Sequence, residues 1–384
     1  MTGPAAPNGE QTISTTWFHQ GNDTAVDTNV PWVETGYMKG KPYKVRVTDE
    51  QGRLYSETTT SYVPAGAAPY FTPPLEVTAL TCEAGANCRQ ARMGYGDAAT
   101  GTSYYDAYGN LLQEHHYGDP TDASDDRTVL RSFAINDTAW IVGLPRKETI
   151  REGIGFTGLT KAETLFHYDG ATDPTALPDK GHLTKLERWL DKPAGYLATT
   201  MTYDSYGNLL TTTDARGYTT TICYDAAAIF PQKTTNALGH IARTDYYGVA
   251  WNPACGAAPA SYAGAGLWGQ VKSVTDANGQ QSTTQYDTFG RTVLVTNPDG
   301  GTTTTEYLNV GDPTLQRTRT VTADGSQDGL WSESYFDGLG RTYKSLAKGP
   351  NGTPIRQDMI YNNRGLVDQQ SLPYFDGTEP PRYT

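Results

Sequence analysis

A chain of 384 residues has room for a sizeable core, yet only 37% of it is hydrophobic, tyrosines outnumber phenylalanines 26 to 9, and the net charge is -12. With no basic cluster to offset that charge, binding to a nucleic-acid backbone is excluded as a main role, because the two surfaces would repel each other. No apolar run approaches the length of a membrane-spanning helix, and the 41 Gly and 23 Pro sit at scattered turn-like positions rather than in one low-complexity block, which speaks for a folded chain with many short connections.

Residues 1–16 are polar and lack the basic start and apolar stretch of a signal peptide, so export would depend on a signal elsewhere. Trp17-Phe18-His19-Gln20-Gly21 follows, with His19 read as structural, and Tyr43, Val45 and Val47 then alternate as a strand does before the turn Asp49-Glu50-Gln51-Gly52. Prolines at 64, 69, 73 and 74 interrupt strand-like pieces such as residues 75–80. These features define an N-terminal β region over 1–100. From Tyr105-Asp106-Ala107-Tyr108-Gly109-Asn110 onward a repeat takes over, forming a second region over 101–384 that is irregular, with insertions, at about 119–200 and 251–268. Residues 160–166 read as a short helix or an insertion packed on the sheet, and Pro174, Pro178 and Gly181 predict an irregular loop after it. Gly153 to Gly158 spells a dinucleotide-binding glycine pattern by letters, without the strand-then-helix frame that the pattern requires.

The repeat alternates a Tyr-Asp pair with a turn of the form Asp/Asn-x-x-Gly. Asp204 to Gly207, Asp214 to Gly217, Asp225, and Asn236 to Gly239 follow one another in steps of 10, 11 and 11 residues, and Asp276 to Gly279, Asp287 to Gly290 and Asn297 to Gly300 in steps of 11 and 10. Asp106 with Gly109 and Asp337 with Gly340 are further copies. Asp or Asn at the first position can accept backbone N–H bonds, and Gly at the fourth tolerates the left-handed conformation of a type I turn with a G1 bulge. Thr-rich runs between the turns favour strands of six or seven residues. The fold expected is all-β: an extended antiparallel sheet of hairpins, with minor helix in the insertions.

The repeated acids are turn formers on this reading rather than calcium ligands or paired catalytic carboxylates, because each turn needs one acceptor and supplies one acid. The repeated tyrosines read as cross-strand aromatic pairs in preference to a stacking ladder for sugars or a client chain, and Tyr108, Tyr206 and Phe289 as caps on neighbouring strands. His115 and His116 point to opposite faces of a strand, cannot chelate one metal, and read as surface residues. The four cysteines are compatible with free thiols, with disulfides, of which Cys82–Cys88 is the local candidate, or with a four-thiolate metal site, which the lack of a second close pair disfavours. No nucleophile-base constellation is visible, and neither a cofactor nor a metal is expected.

Tyr203-Asp204-x-Tyr206-Gly207-Asn208 and Tyr286-Asp287-x-Phe289-Gly290-Arg291 resemble the YD repeat of Rhs-family polymorphic toxins, Tc insecticidal toxin complexes and teneurins. Tyr335-Phe336-Asp337-Gly338-Leu339-Gly340-Arg341 is similar, with Phe336 inserted, and Trp17 to Gly21 with Gly40 to Tyr43 resembles the segment preceding the repeats in Tc toxin B components. The resemblance implies a spiralling sheet that forms part of a hollow shell around a C-terminal toxic polypeptide. It also implies secretion as part of a larger protein and partnership with other toxin-complex subunits. The β-propeller and the self-cleaving core of that family are not found here, so a non-catalytic scaffold fragment is expected. A cell-surface adhesion or carbohydrate-binding module, meeting cell-surface glycans, is the alternative.

Overall fold

The computed structural model describes residues 12–20, 36–63, 71–83, 85–97, 99–119, 121–253, 255, 267–362 and 366–384. The chain divides into two compact units, Met1–Met201 and Thr202–Thr384. Among the described residues helix is confined to two 3-10 turns, Gly36–Met38 and Pro350–Gly352, neither of which lies in the expected insertions, and no helix is long and apolar enough to cross a membrane.

The first unit contains β1 (Thr12–Phe18), β2 (Pro42–Asp49), β3 (Leu54–Tyr62), β4 (Pro74–Glu83), β5 (Ala86–Gly94), the short pair β6 (Gly96–Asp97) and β7 (Thr102–Ser103), then β8 (Gln113–Gly118), β9 (Arg127–Asn136), β10 (Ile141–Glu152), β11 (Thr160–Tyr168), β12 (Leu183–Leu190) and β13 (Gly195–Tyr203), which ends just past its boundary. Apart from the small β6–β7 ladder, neighbours in sequence pair antiparallel, with β5 pairing β8. The stretch expected to be irregular between 119 and 200 is mostly strand: β9 to β13 run 8–12 residues each and pair in order. Residues 160–166 are therefore strand, not helix. Lys161, Ala162 and Glu163 favour helix locally, but β11 is flanked by partners on both sides, and two ladders outweigh a few tenths of a kcal/mol of propensity per residue. Residues 169–182, which hold Pro174, Pro178 and Gly181, form an irregular connection.

The second unit is a run of shorter strands: β14 (Leu209–Thr213), β15 (Thr219–Tyr224), β16 (Pro231–Thr235), β17 (Ile241–Tyr246), β18 (Val271–Thr275), β19 (Gln281–Tyr286), β20 (Thr292–Thr296), β21 (Thr302–Leu308), β22 (Arg317–Thr322), β23 (Leu330–Phe336), β24 (Thr342–Ala347), β25 (Ile355–Tyr361), β26 (Val367–Gln370) and β27 (Tyr374–Phe375). From β14 to β26 each pairs antiparallel with the next, so successive connections alternate between the two edges of the sheet. The insertion expected at 251–268 falls largely outside the described residues. Directly opposed threonines dominate the ladders, as in Thr211↔Thr221, Thr213↔Thr219, Thr221↔Thr235 and Thr283↔Thr296.

Few apolar side chains are buried. Among the described residues they are Met38, Pro73, Leu75, Cys82, Val129, Ala134, Tyr168, Pro178, Cys223 and Tyr374, while buried polar groups include His19, His167, Gln232, Glu333 and Asp358. Cross-strand pairing and polar contacts, rather than an apolar second layer, account for most of the described packing.

Candidate functional surface

Every short turn of the repeat is closed by its own backbone. After β13 the Asp204 N–H donates to the Asn208 carbonyl at 3.0 Å, the Gly207 N–H donates to the Asp204 carbonyl at 3.2 Å, and Gly207 sits at φ +89°. Asp204 Oδ1 then accepts the N–H groups of Tyr206 (2.8 Å) and Asn208 (2.9 Å). Asp106, Asp214, Asp276, Asp287 and Asp337 accept the same two N–H groups, two and four residues on, and the neutral amide oxygen of Asn236 does likewise for Leu238 and His240. At Asn297 the backbone pattern is kept, but Asp299 Oδ1 takes the Gly301 N–H. Gly109, Gly217, Gly239, Gly279, Gly290, Gly300 and Gly340 all occupy the left-handed region. One turn departs from this: after Asp225 the fourth position is Ala228, at φ +58°, with one extra residue before β16.

These acids are dispersed, one per turn, and the structure does not gather them into a cleft. Among the described residues no group of three or more His, Cys, Asp or Glu is arranged to hold a metal ion. Their charge is committed locally. The Gln280 N–H, followed by that of Asn278, holds the Asp276 carboxyl below its ordinary range, and the Arg341 side chain, followed by its N–H, does the same for Asp337.

Tyrosines at or near strand ends, among them Tyr286 of a Tyr-Asp pair, have a role that sequence reasoning missed. Tyr62, Tyr246, Tyr286 and Tyr361 each end a strand, and each phenol donates to the carbonyl of the first residue of the preceding strand: Pro42 (2.7 Å), Pro231 (3.0 Å), Val271 (3.0 Å) and Thr342 (2.8 Å). Tyr307 does so to Thr292 at 3.3 Å. At Tyr62, Tyr246, Tyr286 and Tyr361 the pairing to the following strand slips by one residue, a bulge that re-aims the ring. Aromatic pairs exist, such as Phe230 with Tyr246 at 4.9 Å between centroids, but the phenolic ties and stacked arginines are the recurring contacts. The tied tyrosines therefore do not form a free ladder for a ligand.

At four turns the residue after the turn Gly links the turn sideways. Asn208 Nδ2 donates to Asp204 Oδ2 at 2.9 Å and to the Ala228 carbonyl of the next turn on that edge at 2.7 Å, and Asn110 bonds Asp106 and the Val142 carbonyl in the same way. Arg291 grips Asp287 at 2.7 Å while stacking on Tyr307, 4.1 Å from its centroid, and Arg341 grips Asp337 at 2.8 Å while stacking on Tyr361 at 4.4 Å. The signal for these clamps was an Asn or Arg directly after the turn Gly, as at Asn110, Asn208, Arg291 and Arg341.

Charged side chains near mid-strand form a second layer of order. Glu333 is buried and meets Arg319 at 3.0 Å, Arg317 at 3.3 Å and the Tyr335 phenol at 2.7 Å, and burial followed by that carboxylate pushes Tyr335 up to about 12. Asp358 is held by Arg356 at 2.9 Å and Tyr374 at 2.5 Å, and Asp245 by Arg243 at 2.6 Å and Ser273 at 3.0 Å. In the first unit Glu163 meets Lys147 (2.7 Å) and Tyr196 (2.6 Å), while His167 and Lys185 share Glu187. Each of these carboxylates is matched to a cation or phenol within the sheet.

Cys82 is bonded to Cys88, and Cys223 to Cys255, leaving no free thiol among the described residues. His19 is 2% exposed between the rings of Tyr43 and Tyr62. The surface reading of His115 is corrected: it is 5% exposed and packed between Tyr104 and Tyr117, because β8 is covered by the Tyr104 segment. The capping reading holds for Tyr108, which bonds Asp137 and meets Trp140 edge-on, but fails for Tyr206 and Phe289, which are 78% and 82% exposed.

Residues 267–303, from the end of the insertion through the Asn297 turn, match the family described as RHS Repeat. The fold is similar to that of Tc toxin chains. Against a crystal structure of TcdB2-TccC3 the TM-score is 0.56 at 11% identity, covering 95% of this chain and 26% of that one. Against TcdB2-TccC3-Cdc42 it is 0.57 at 11% identity, covering 97% and 29%, and against the Photorhabdus luminescens Tc holotoxin pore it is 0.55 at 10% identity, covering 95% and 28%. The chain spans little more than a quarter of those chains. No curated protein matches it. Residues 267–303 match an RHS repeat, and the all-β fold is similar to that of the Tc toxin chains.

Proposed function

We propose that this chain is a length of non-catalytic shell wall in a secreted toxin complex, and that the wall encloses a C-terminal toxic polypeptide. The observation that carries the reading is the polar, single-sheet construction: turn acids committed to backbone N–H groups, tyrosines tied to carbonyls, mid-strand charges matched within the sheet, and few buried apolar side chains. Such a wall offers an enclosed chain many weak polar contacts and little apolar surface on which to collapse. The turn residues act in this reading as structural fasteners, and the other subunits of the complex are its partners.

The test is made in the full-length parent. Removal of residues 203–246 takes out β14 to β17, and with them the ladder by which β17 pairs β18, so the wall should open. Limited proteolysis should then cleave the enclosed polypeptide in the deletion and spare it in the parent, with toxicity falling accordingly. Equal protection in both would reject enclosure by this segment.

A further inference from the structure

Glycine follows asparagine at three places in the chain, residues 8–9, 278–279 and 351–352. Such a pair is where the backbone most readily attacks an asparagine side chain, because the next residue has no Cβ to hinder the approach. Residues 8 and 9 lie outside the described residues. The other two pairs are both exposed, but they are held differently. In the turn between β18 and β19 the Gly279 N–H, which carries the nitrogen that would attack, donates to the Asp276 carbonyl at 3.0 Å. Asn278 and Gln280 on either side of it each give an N–H to Asp276 Oδ1 at 2.8 Å, so that peptide cannot turn without breaking three bonds. In the connection between β24 and β25 neither the Asn351 side-chain amide nor the Gly352 N–H is hydrogen-bonded to any described residue, and one bond closes the turn, from the Thr353 N–H to the Pro350 carbonyl at 3.2 Å. Asn351 also stands at φ +55°, a conformation that a residue with a Cβ holds at a cost, so the backbone itself favours rotation out of it.

We propose that Asn351 is a self-modification site, deamidated by its own backbone to isoaspartate and aspartate while Asn278 is spared. The Gly352 amide nitrogen attacks Asn351 Cγ. A carbon–nitrogen bond forms there as the bond to the side-chain nitrogen breaks, and that nitrogen leaves as ammonia with the proton lost from Gly352. Water then opens the cyclic imide at either carbonyl, leaving one carboxylate and one peptide bond, so the only co-reactant is water. Opening at the main-chain carbonyl routes the chain through the former side chain and makes it one methylene longer. That methylene enters a close-packed connection, where a Cβ on Gly349 would collide with the Thr353 carbonyl, beside the Ala347↔Ile355 pair that ends the β24–β25 ladder.

The experiment uses the whole folded chain, held for days at neutral to mildly alkaline pH in water enriched in heavy oxygen, with residues 278 and 351 followed by peptide mapping and mass spectrometry. Heavy oxygen should enter at residue 351, with isoaspartate the main product. Asn278 should lag by about five- to tenfold, the factor that one ordinary backbone hydrogen bond on the attacking nitrogen is worth. In urea strong enough to unfold the chain the two rates should converge, because both sites are then the same unrestrained Asn-Gly pair. Asn351→Gln lengthens the side chain so that the favoured ring cannot close, and should abolish the signal at 351 with circular dichroism unchanged. Equal rates in the folded chain, an Asn351 that reacts in urea but not when folded, or a preference for Asn351 that persists unchanged in urea would overturn the proposal. None of these outcomes bears on whether a client is enclosed.

Discussion

β9 to β13 and β14 to β21 are both antiparallel runs of consecutive strands, held in order by different means. In the earlier run the strands reach 8–12 residues and their connections lack the repeated turn, whereas the later strands are 5–7 residues long and most are joined by five-residue turns with an Asp or Asn acceptor and a left-handed Gly. A long strand can define its register through many cross-strand pairs. A five-residue strand has few, so its register depends on the turn at each end and on the Tyr tie beside it.

That contrast gives predictions of decreasing size. Glu163→Ala removes the acceptor shared by Lys147, Thr149 and Tyr196 in the long-strand run, and should lower unfolding free energy by about 3 kcal/mol in chemical denaturation. Gly217→Val forces a β-branched residue to φ +84° in the tight run, with an expected loss of about 2 kcal/mol although the space around it is open. A loss below the measurement error would show that the turn is not setting register. Tyr246→Phe keeps the ring and deletes the bond to Pro231, for about 1 kcal/mol. Ala228→Gly relieves the one alanine in a left-handed turn position, and should stabilise by somewhat under about 1 kcal/mol, read as a rise in melting temperature.

The smallest effect is a pH dependence. Because folding depresses the Asp276 and Asp337 pKa values, their stabilisation is fully present above the unfolded carboxylate pKa and is lost as pH falls through the lower folded values. Asp276→Asn keeps an acceptor of the kind seen at Asn236 and should flatten the acid limb of the melting-temperature profile, whereas an unchanged slope would remove Asp276 as a contributor.

His115 illustrates how context changes a prediction. Read as a surface residue, its replacement by alanine would matter little, but packed between two tyrosines its loss leaves a cavity.

What could be read from the residues alone was local: the 10- to 11-residue phase, the acceptor-then-glycine turns and the threonine-rich strands between them, because turn geometry and β propensity act within a few residues. Tertiary structure decided the rest. Whether residues 160–166 became strand depended on partners on both sides, the targets of the Tyr246 and Tyr286 hydroxyls depended on a bulge and on a carbonyl 15 residues away, and the Cys223–Cys255 bond spans 32 residues. The identity of a partner across a sheet is set by register, and register is a sum over many pairs that no single stretch of sequence contains.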